Sequence, residues 1–244
     1  MGHYNRILIV KGYSMNEDGD IVIVCGHYGS GKTNLSLNLA VDIVKTSKNS
    51  HEKTEKKIAL LDMDIVNPYF RSSEYGALMS QYGIKLIAPV FSGTTLDTPA
   101  LPAEVYTIFA EKGMQTFIDV GGDDAGITAL AAVKKQICAA GYRMIYVINR
   151  YRILSQSPDK AYALLRQIEA ASGLRATAVV NNSHLGIETT FDTVRASLGF
   201  AQETAELCGL PLLYNTVADF AKGQPEKLPD NFRRIRRYVK FPWE

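Results

Sequence analysis

Cysteine is scarce in this chain and widely scattered: Cys25, Cys138 and Cys208 stand far apart, with no C-x-x-C pair. That spacing argues against a disulfide framework and against a simple zinc or iron–sulfur pattern, so buried thiols in a reducing compartment are expected. No run of eighteen apolar residues occurs, which removes an apolar membrane-spanning helix from the candidates. The N-terminus lacks the basic-then-apolar layout of a secretory leader, and the cytoplasm is the expected location. Charge of one sign is missing too. With 27 Lys+Arg against 25 Asp+Glu the formal net charge is +2, and no nucleic-acid partner is expected. The lysine-rich stretch 45–57 reads as a solvated loop and frayed helix end rather than a basic patch. Internal repeats and low-complexity linkers are absent as well.

What remains is ordinary globular composition: 244 residues, 46% apolar and 21% charged, enough for one α/β domain with a full core over 1–244. Apolar runs at 6–11, 20–25, 57–62, 84–90, 115–120, 143–149, 175–181 and 210–215 read as strands. Helix-period segments lie at 32–46, 72–82, 101–112, 127–140, 158–172 and 189–208. The alternation implies right-handed crossovers and a doubly wound, mainly parallel sheet of seven or eight strands with helices on both faces. One exception is expected at the start, where a polar turn joins 6–11 to 20–25 as an antiparallel edge hairpin within an N-terminal segment 1–19. At the other end, 216–244 reads as a basic and aromatic tail packed on the domain.

The chemistry concentrates at Gly26-His27-Tyr28-Gly29-Ser30-Gly31-Lys32-Thr33, which has P-loop spacing. Before it stands the β-branched run Ile21–Val24; after it Asn34 opens a helix-period segment. Glycines let the backbone curl so that its N–H groups face phosphate oxygens, and the new helix presents its positive end to the same anion. Lys32 would reach the terminal phosphates and the Thr33 hydroxyl would ligate Mg²⁺. A nucleoside triphosphate is the expected ligand.

Further groups cluster at the ends of later strands, where open α/β sheets bind ligands. Asp62 and Asp64 follow one apolar run, suited to holding the Mg²⁺ shell and orienting water. Asp119 ends another, in the position of a metal-side carboxylate, with Gly122 placed to approach a γ-phosphate. Asp123 could handle water or cap the helix that follows, and Asp124 likewise. Asn181 and Asn182 end a third run and offer amide donors and acceptors to a base edge. No N-K-x-D guanine pattern is present, which favours adenine. His184 reads as a loop histidine with a structural hydrogen bond.

Taken in order, the P-loop, Asp62-Met63-Asp64, Asp119-Val120-Gly121-Gly122 and Asn181-Asn182 resemble the MinD/ParA/nitrogenase-iron-protein superfamily of P-loop ATPases, over roughly residues 20–215. The resemblance implies ATP and Mg²⁺ as ligands, Asp64 orienting the hydrolytic water, Asp119 on the metal side, and Asn182 reading adenine. It also implies an ATP-dependent sandwich dimer. Two departures stand out. His27 occupies the place of the superfamily's second P-loop lysine, which crosses to the partner's phosphates. No cysteine follows Asp123, so no bridging cluster is expected.

The expected function is therefore a slow, Mg²⁺-dependent ATPase acting as a switch or maturation factor for another protein. An ATP-dependent ligase or kinase resembling dethiobiotin synthetase is the alternative, with loop 91–100 lining an acceptor pocket. A non-hydrolysing ATP-binding module is the third reading. The stretch 232–243, five cations among apolar residues with a short helical part ended by Pro242, reads as a packed element or partner contact in preference to a membrane anchor. Tyr69, Phe70 and Tyr75 read as packing under a switch rather than as a partner surface.

Overall fold

A computed structural model of the chain describes residues 21–49, 57–64, 75–88, 103–111 and 113–239. Eight strands form one sheet: β1 Ile21–Gly26, β2 Lys57–Met63, β3 Ile84–Ile87, β4 Met114–Val120, β5 Tyr142–Ile148, β6 Ala178–Asn181, β7 Leu212–Ala218 and β8 Phe232–Ile235. Their order is β3-β2-β4-β1-β5-β6-β7-β8, and every pairing is parallel. The helices are α1 Lys32–Asn49, α2 Gly76–Tyr82, α3 Ala103–Ala110, α4 Asp124–Ala132, α5 Lys134–Ala140, α6 Pro158–Ser172, α7 Phe191–Arg195 and α8 Leu198–Cys208.

The strands at the centre are apolar on both faces because both faces are covered. All six residues of β1 and all seven of β4 are buried. Alternate side chains enter opposite cores. Ile21, Ile23, Ile118, Met144 and Tyr146 pack on one face with Leu130 and Leu165 from α4 and α6. Val22, Val24, Phe117, Ile145 and Val147 pack on the other with Leu35, Leu39 and Met79 from α1 and α2. Each large aliphatic side chain buried this way contributes about 1.5–3 kcal/mol. Tyr75 is buried in the second core, as packing rather than surface. Among the described residues no helix is long and apolar enough to cross a membrane.

The element limits match the sequence reading closely where caps are local. Helix α6 covers 158–172 as expected, opened by Ser157, whose side chain accepts the Lys160 N–H, and closed by Gly173 in the left-handed region. Two long helical segments prove to be pairs: 127–140 divides at Val133 into α4 and α5, and 189–208 into α7 and α8. The expected first strand 6–11, the acceptor loop 91–100, Tyr69 and Phe70 lie outside the described residues. Strand β1 bonds to β4 on one side and β5 on the other, so 21–26 has no free edge for a hairpin partner.

The largest departure is β8. Residues 232–235, expected to begin a short helical tail, form an edge strand beside Asn215–Ala218 of β7. Arg233 is buried there because Asp42 accepts from its Nη2 at 2.6 Å and the Tyr214 hydroxyl from its Nη1 at 3.1 Å. A cation inside a strand is tolerated only with such partners.

Candidate functional site

The parallel sheet directs the C-terminal ends of its strands to one side, and the loops there surround a cavity of about 260 Å³. Its wall begins at the P-loop with Gly29, Gly31, Lys32 and Thr33, and it extends to Ala218 at the end of β7 and Ile235, Arg237 and Val239 in and after β8. The P-loop thus opens into a chamber whose far end is lined mainly by apolar side chains.

The loop between β1 and α1 is built for tight curvature. Ser30 N–H donates to the His27 carbonyl at 3.1 Å. Gly31 has φ +83°, and a side chain there would strike the Asn182 amide; only glycine takes that conformation without strain. Ser30 is fully buried, whereas Tyr28 is exposed. His27 Nδ1 lies 2.7 Å from the Tyr28 carbonyl, a contact that requires the proton on Nδ1.

Lys32 is buried, and its Nζ donates to the His27 carbonyl at 3.1 Å. Burial pulls its pKa down, against the opposing pull of Asp119 and Asp64. Asp119 stands directly opposite Asp62 in the β2–β4 register. Its carboxyl is pushed up to about 7, first by burial and then by the Asp62 charge, while Lys32 and a hydrogen bond from Thr33 oppose the rise. Ser36 Oγ donates to Asp119 Oδ1 at 3.4 Å. Two buried carboxylates and a threonine hydroxyl beside one ammonium form a hard-oxygen donor set with room for more positive charge. Thr33, Asp62 and Asp119 therefore fit a divalent cation such as Mg²⁺.

Asp64 lines the cavity next to Lys32, and its backbone N–H donates to Asp62 Oδ1 at 2.9 Å. Gly121 and Gly122 let the β4–α4 loop close on its neighbours: a Cβ on Gly121 would stand 3.3 Å from Asp64 Cα, and one on Gly122 2.5 Å from Tyr28 N. Gly122 thus abuts the P-loop backbone. The structure brings Gly26–Thr33, Asp62, Asp64, Asp119 and Gly122 into one neighbourhood.

Four expected site residues are engaged elsewhere. Asp123 caps α4, its Oδ1 accepting the Gly126 N–H at 2.9 Å, so the capping alternative describes its geometry. Asn181 is fully buried, and its two amide N–H groups donate to Ser197 Oγ at 2.9 Å and Asn215 Oδ1 at 2.8 Å. Its oxygen accepts from Ser183 N–H and hydroxyl; no group is left to read a base. Asn182 lies at the cavity wall but donates to the Ser30 carbonyl at 2.6 Å and accepts from the Thr216 hydroxyl. It holds the P-loop. Asn34 is likewise a clamp. Its Nδ2 donates to the Arg236 carbonyl at 3.1 Å, and its Oδ1 accepts from Tyr238 N–H at 2.8 Å and Val239 N–H at 3.2 Å.

Among the wall residues, Arg152 and Phe220 escaped the sequence reading, whereas His184 makes the structural loop hydrogen bond expected of it. Arg152, in the loop after β5, donates through Nε to the Gly29 carbonyl at 2.8 Å. His184, in the loop after β6, accepts the Gly186 N–H on Nδ1 at 3.2 Å, which leaves the ring proton on Nε2, beside Gly31. Its pKa is lowered to about 4 by burial and then by Arg152. Phe220 and Arg237 meet as a cation–π pair with the guanidinium 5.7 Å from the ring centre. The one general signal for Arg152 and His184 is position, just past the C-terminal ends of strands. Nothing local marks the β8 residues.

Fold and site together define an α/β protein with the P-loop NTPase fold. No protein-family model and no curated protein matches the chain. Among solved structures it is similar to chloroplast FtsY from Physcomitrella patens, with a TM-score of 0.54 and 14% identity over 86% of this chain and 62% of that one. It is also similar to the signal recognition particle receptor FtsY from Elizabethkingia anophelis in complex with GDP, at 0.50 and 17% over 88% and 63%. FlhF complexed with GMPPNP and Mg²⁺ matches at 0.51 and 14% over 87% and 71%. The chain spans less than two thirds of the length of these FtsY structures. At such identities the likeness is one of fold.

Proposed function

We propose that this protein binds ATP with Mg²⁺ and hydrolyses it slowly, as a nucleotide-driven switch or maturation factor for another protein. The observation that carries this reading is the continuity of one cavity from Lys32 and Thr33, beside the Asp62–Asp119 pair, to an apolar chamber large enough for a base. Triphosphate is held by the P-loop N–H groups and by Lys32, released from the His27 carbonyl. Thr33, Asp62 and Asp119 hold Mg²⁺, which when bound supplies charge neutralisation at the phosphate oxygens. Asp64 orients water, and catalysis is positioning with charge stabilisation and no covalent intermediate.

Adenine is the base that the far chamber suits. Guanine presents donors that call for an acceptor such as a carboxylate. The only carboxylate on the cavity wall among the described residues is Asp64, at the phosphate end. Leu185, not an acid, stands three residues after Asn182. FtsY and FlhF structures hold guanine nucleotides, so this chain would share their fold while differing in base.

Exposed apolar side chains support a protein partner. Tyr28, Ile153, Leu154, Leu185 and Ile187 are all exposed, on loops tied together by Arg152 to Gly29 and by Arg150 N–H to Ser183 Oγ at 2.9 Å. Such an apolar rim at a nucleotide site suits a partner that senses occupancy, a second copy included. The test is Mg²⁺-ATP hydrolysis against protein concentration, with Lys32→Ala as blank. Specific activity rising with concentration means a site completed across a dimer. A flat value means a site complete in one chain, and none above the blank contradicts the ATPase.

A further inference from the structure

Arg152 has one anchored nitrogen and two unused ones. Its Nε is fixed on the Gly29 carbonyl at 2.8 Å, so the guanidinium lies flat on the P-loop; a Cβ on Gly29 would stand 3.0 Å from Nε and 3.2 Å from Cζ. Nη1 and Nη2 make no hydrogen bond and no ion pair among the described residues, and the side chain lines the cavity together with Lys32. The contrast with other arginines is direct. Arg166 and Arg175 share Glu169, Arg195 pairs with Asp192, and Arg233 with Asp42. A half-buried guanidinium set against the P-loop, with no ion-paired acid among the described residues, has the charge and fork geometry that bind an anion.

We propose that Arg152 is a phosphate ligand supplied from within the same chain, its two Nη groups donating to the nucleotide's phosphate chain while Nε holds Gly29. This deepens the nucleotide reading and rests on it. Chemically, it places a permanent cation beside the P-loop, where the His27 ring is turned to the Tyr28 carbonyl. The charge that completes the phosphate cradle then needs no second chain. His184 lines the same cavity, and burial together with this guanidinium keeps it neutral, so its Nε2–H adds a donor rather than a second cation.

The test is the affinity of the full chain for Mg²⁺-ATP, and for inorganic tripolyphosphate, in the wild type, Arg152→Lys and Arg152→Gln, across a range of salt concentration. Gln keeps a donor for Gly29 but removes the charge; Lys keeps the charge but not the fork. Arg152→Gln is expected to weaken both ligands by roughly 10- to 100-fold, as loss of a charge-assisted contact does. Arg152→Lys should recover part of that, and the glutamine variant should lose part of the wild type's salt dependence. Equal affinity in wild type and Arg152→Gln overturns the proposal while leaving nucleotide binding intact. So does a loss that is the same at every salt concentration, because that marks loop support alone. A wild type that binds neither ligand overturns this proposal and the nucleotide reading together.

Discussion

The Asn182 side chain donates to the backbone carbonyl of Ser30 at 2.6 Å and so ties the end of β6 to a loop 152 residues earlier. The amide oxygen meanwhile accepts from Thr216 on β7. One buried amide thus fixes the P-loop relative to two strands on which the cavity wall is built.

Asn182→Ala is expected to leave the Ser30 carbonyl unsatisfied in a buried place and the Thr216 hydroxyl with only its longer bond to the Asn181 carbonyl at 3.3 Å. The loss is about 1–3 kcal/mol of stability, read as a lower urea midpoint with an unchanged slope. Nucleotide affinity should fall with it. Asn182→Asp, which sets an acceptor against an acceptor, should be at least as damaging.

Asp64→Asn separates chemistry from binding. If Asp64 orients water, kcat should drop by roughly 10²-fold or more while ATP affinity stays within a few-fold. Single-turnover kinetics with a binding titration measure both. An equal fall in both quantities would place Asp64 in ligand binding instead.

The strand, loop and helix of the P-loop were legible because each is encoded within a few residues: a β-branched run, glycines at fixed spacing and a helical apolar period. Asp62 and Asp119 were legible for the same reason, as carboxylates near strand ends. Asn181 was misread because its partners are remote. Whether Asn181 faces a base or Ser197 and Asn215 depends on how β6, β7 and α8 assemble. Strand β8 was hidden by Arg233 and Arg234, whose presence hides the alternation until Asp42 and Tyr214 are seen to accept the first of them. Arg152 carries no local pattern at all.

Asn34 and Asn38 hold the segment after β8 onto α1. Asn38 donates to the Arg236 carbonyl at 2.8 Å and accepts the Arg236 N–H at 2.8 Å, beside the three bonds of Asn34. Asn34→Ala is expected to speed amide exchange at Tyr238 and Val239 by about 10-fold, the equivalent of roughly 1.4 kcal/mol of local stability. Because Arg237 and Val239 line the cavity, ATP affinity should weaken too. Unchanged exchange would mean the clamp is redundant.

His184 makes stability depend on acidity in a defined window. Its folded pKa is lowered from 6.5 to about 4, so below pH 6.5 the unfolded chain takes up a proton that the folded chain refuses. Stability is complete above about pH 6.5 and is lost progressively as pH falls to about 4, by at most about 3 kcal/mol. The difference in unfolding free energy between wild type and His184→Asn, followed from pH 7 to 4, isolates this contribution from the carboxylates. A difference that stays constant across the window would show that His184 titrates normally.

Calorimetric titration of the wild-type chain with Mg²⁺-ATP and Mg²⁺-GTP, with Lys32→Ala alongside, bears most directly on the proposed nucleotide site. Saturable binding of ATP, at least 10-fold weaker binding of GTP, and loss of both in Lys32→Ala are expected. No binding of either nucleotide by the wild type, or binding that survives Lys32→Ala, would contradict the reading of this cavity as a P-loop nucleotide site.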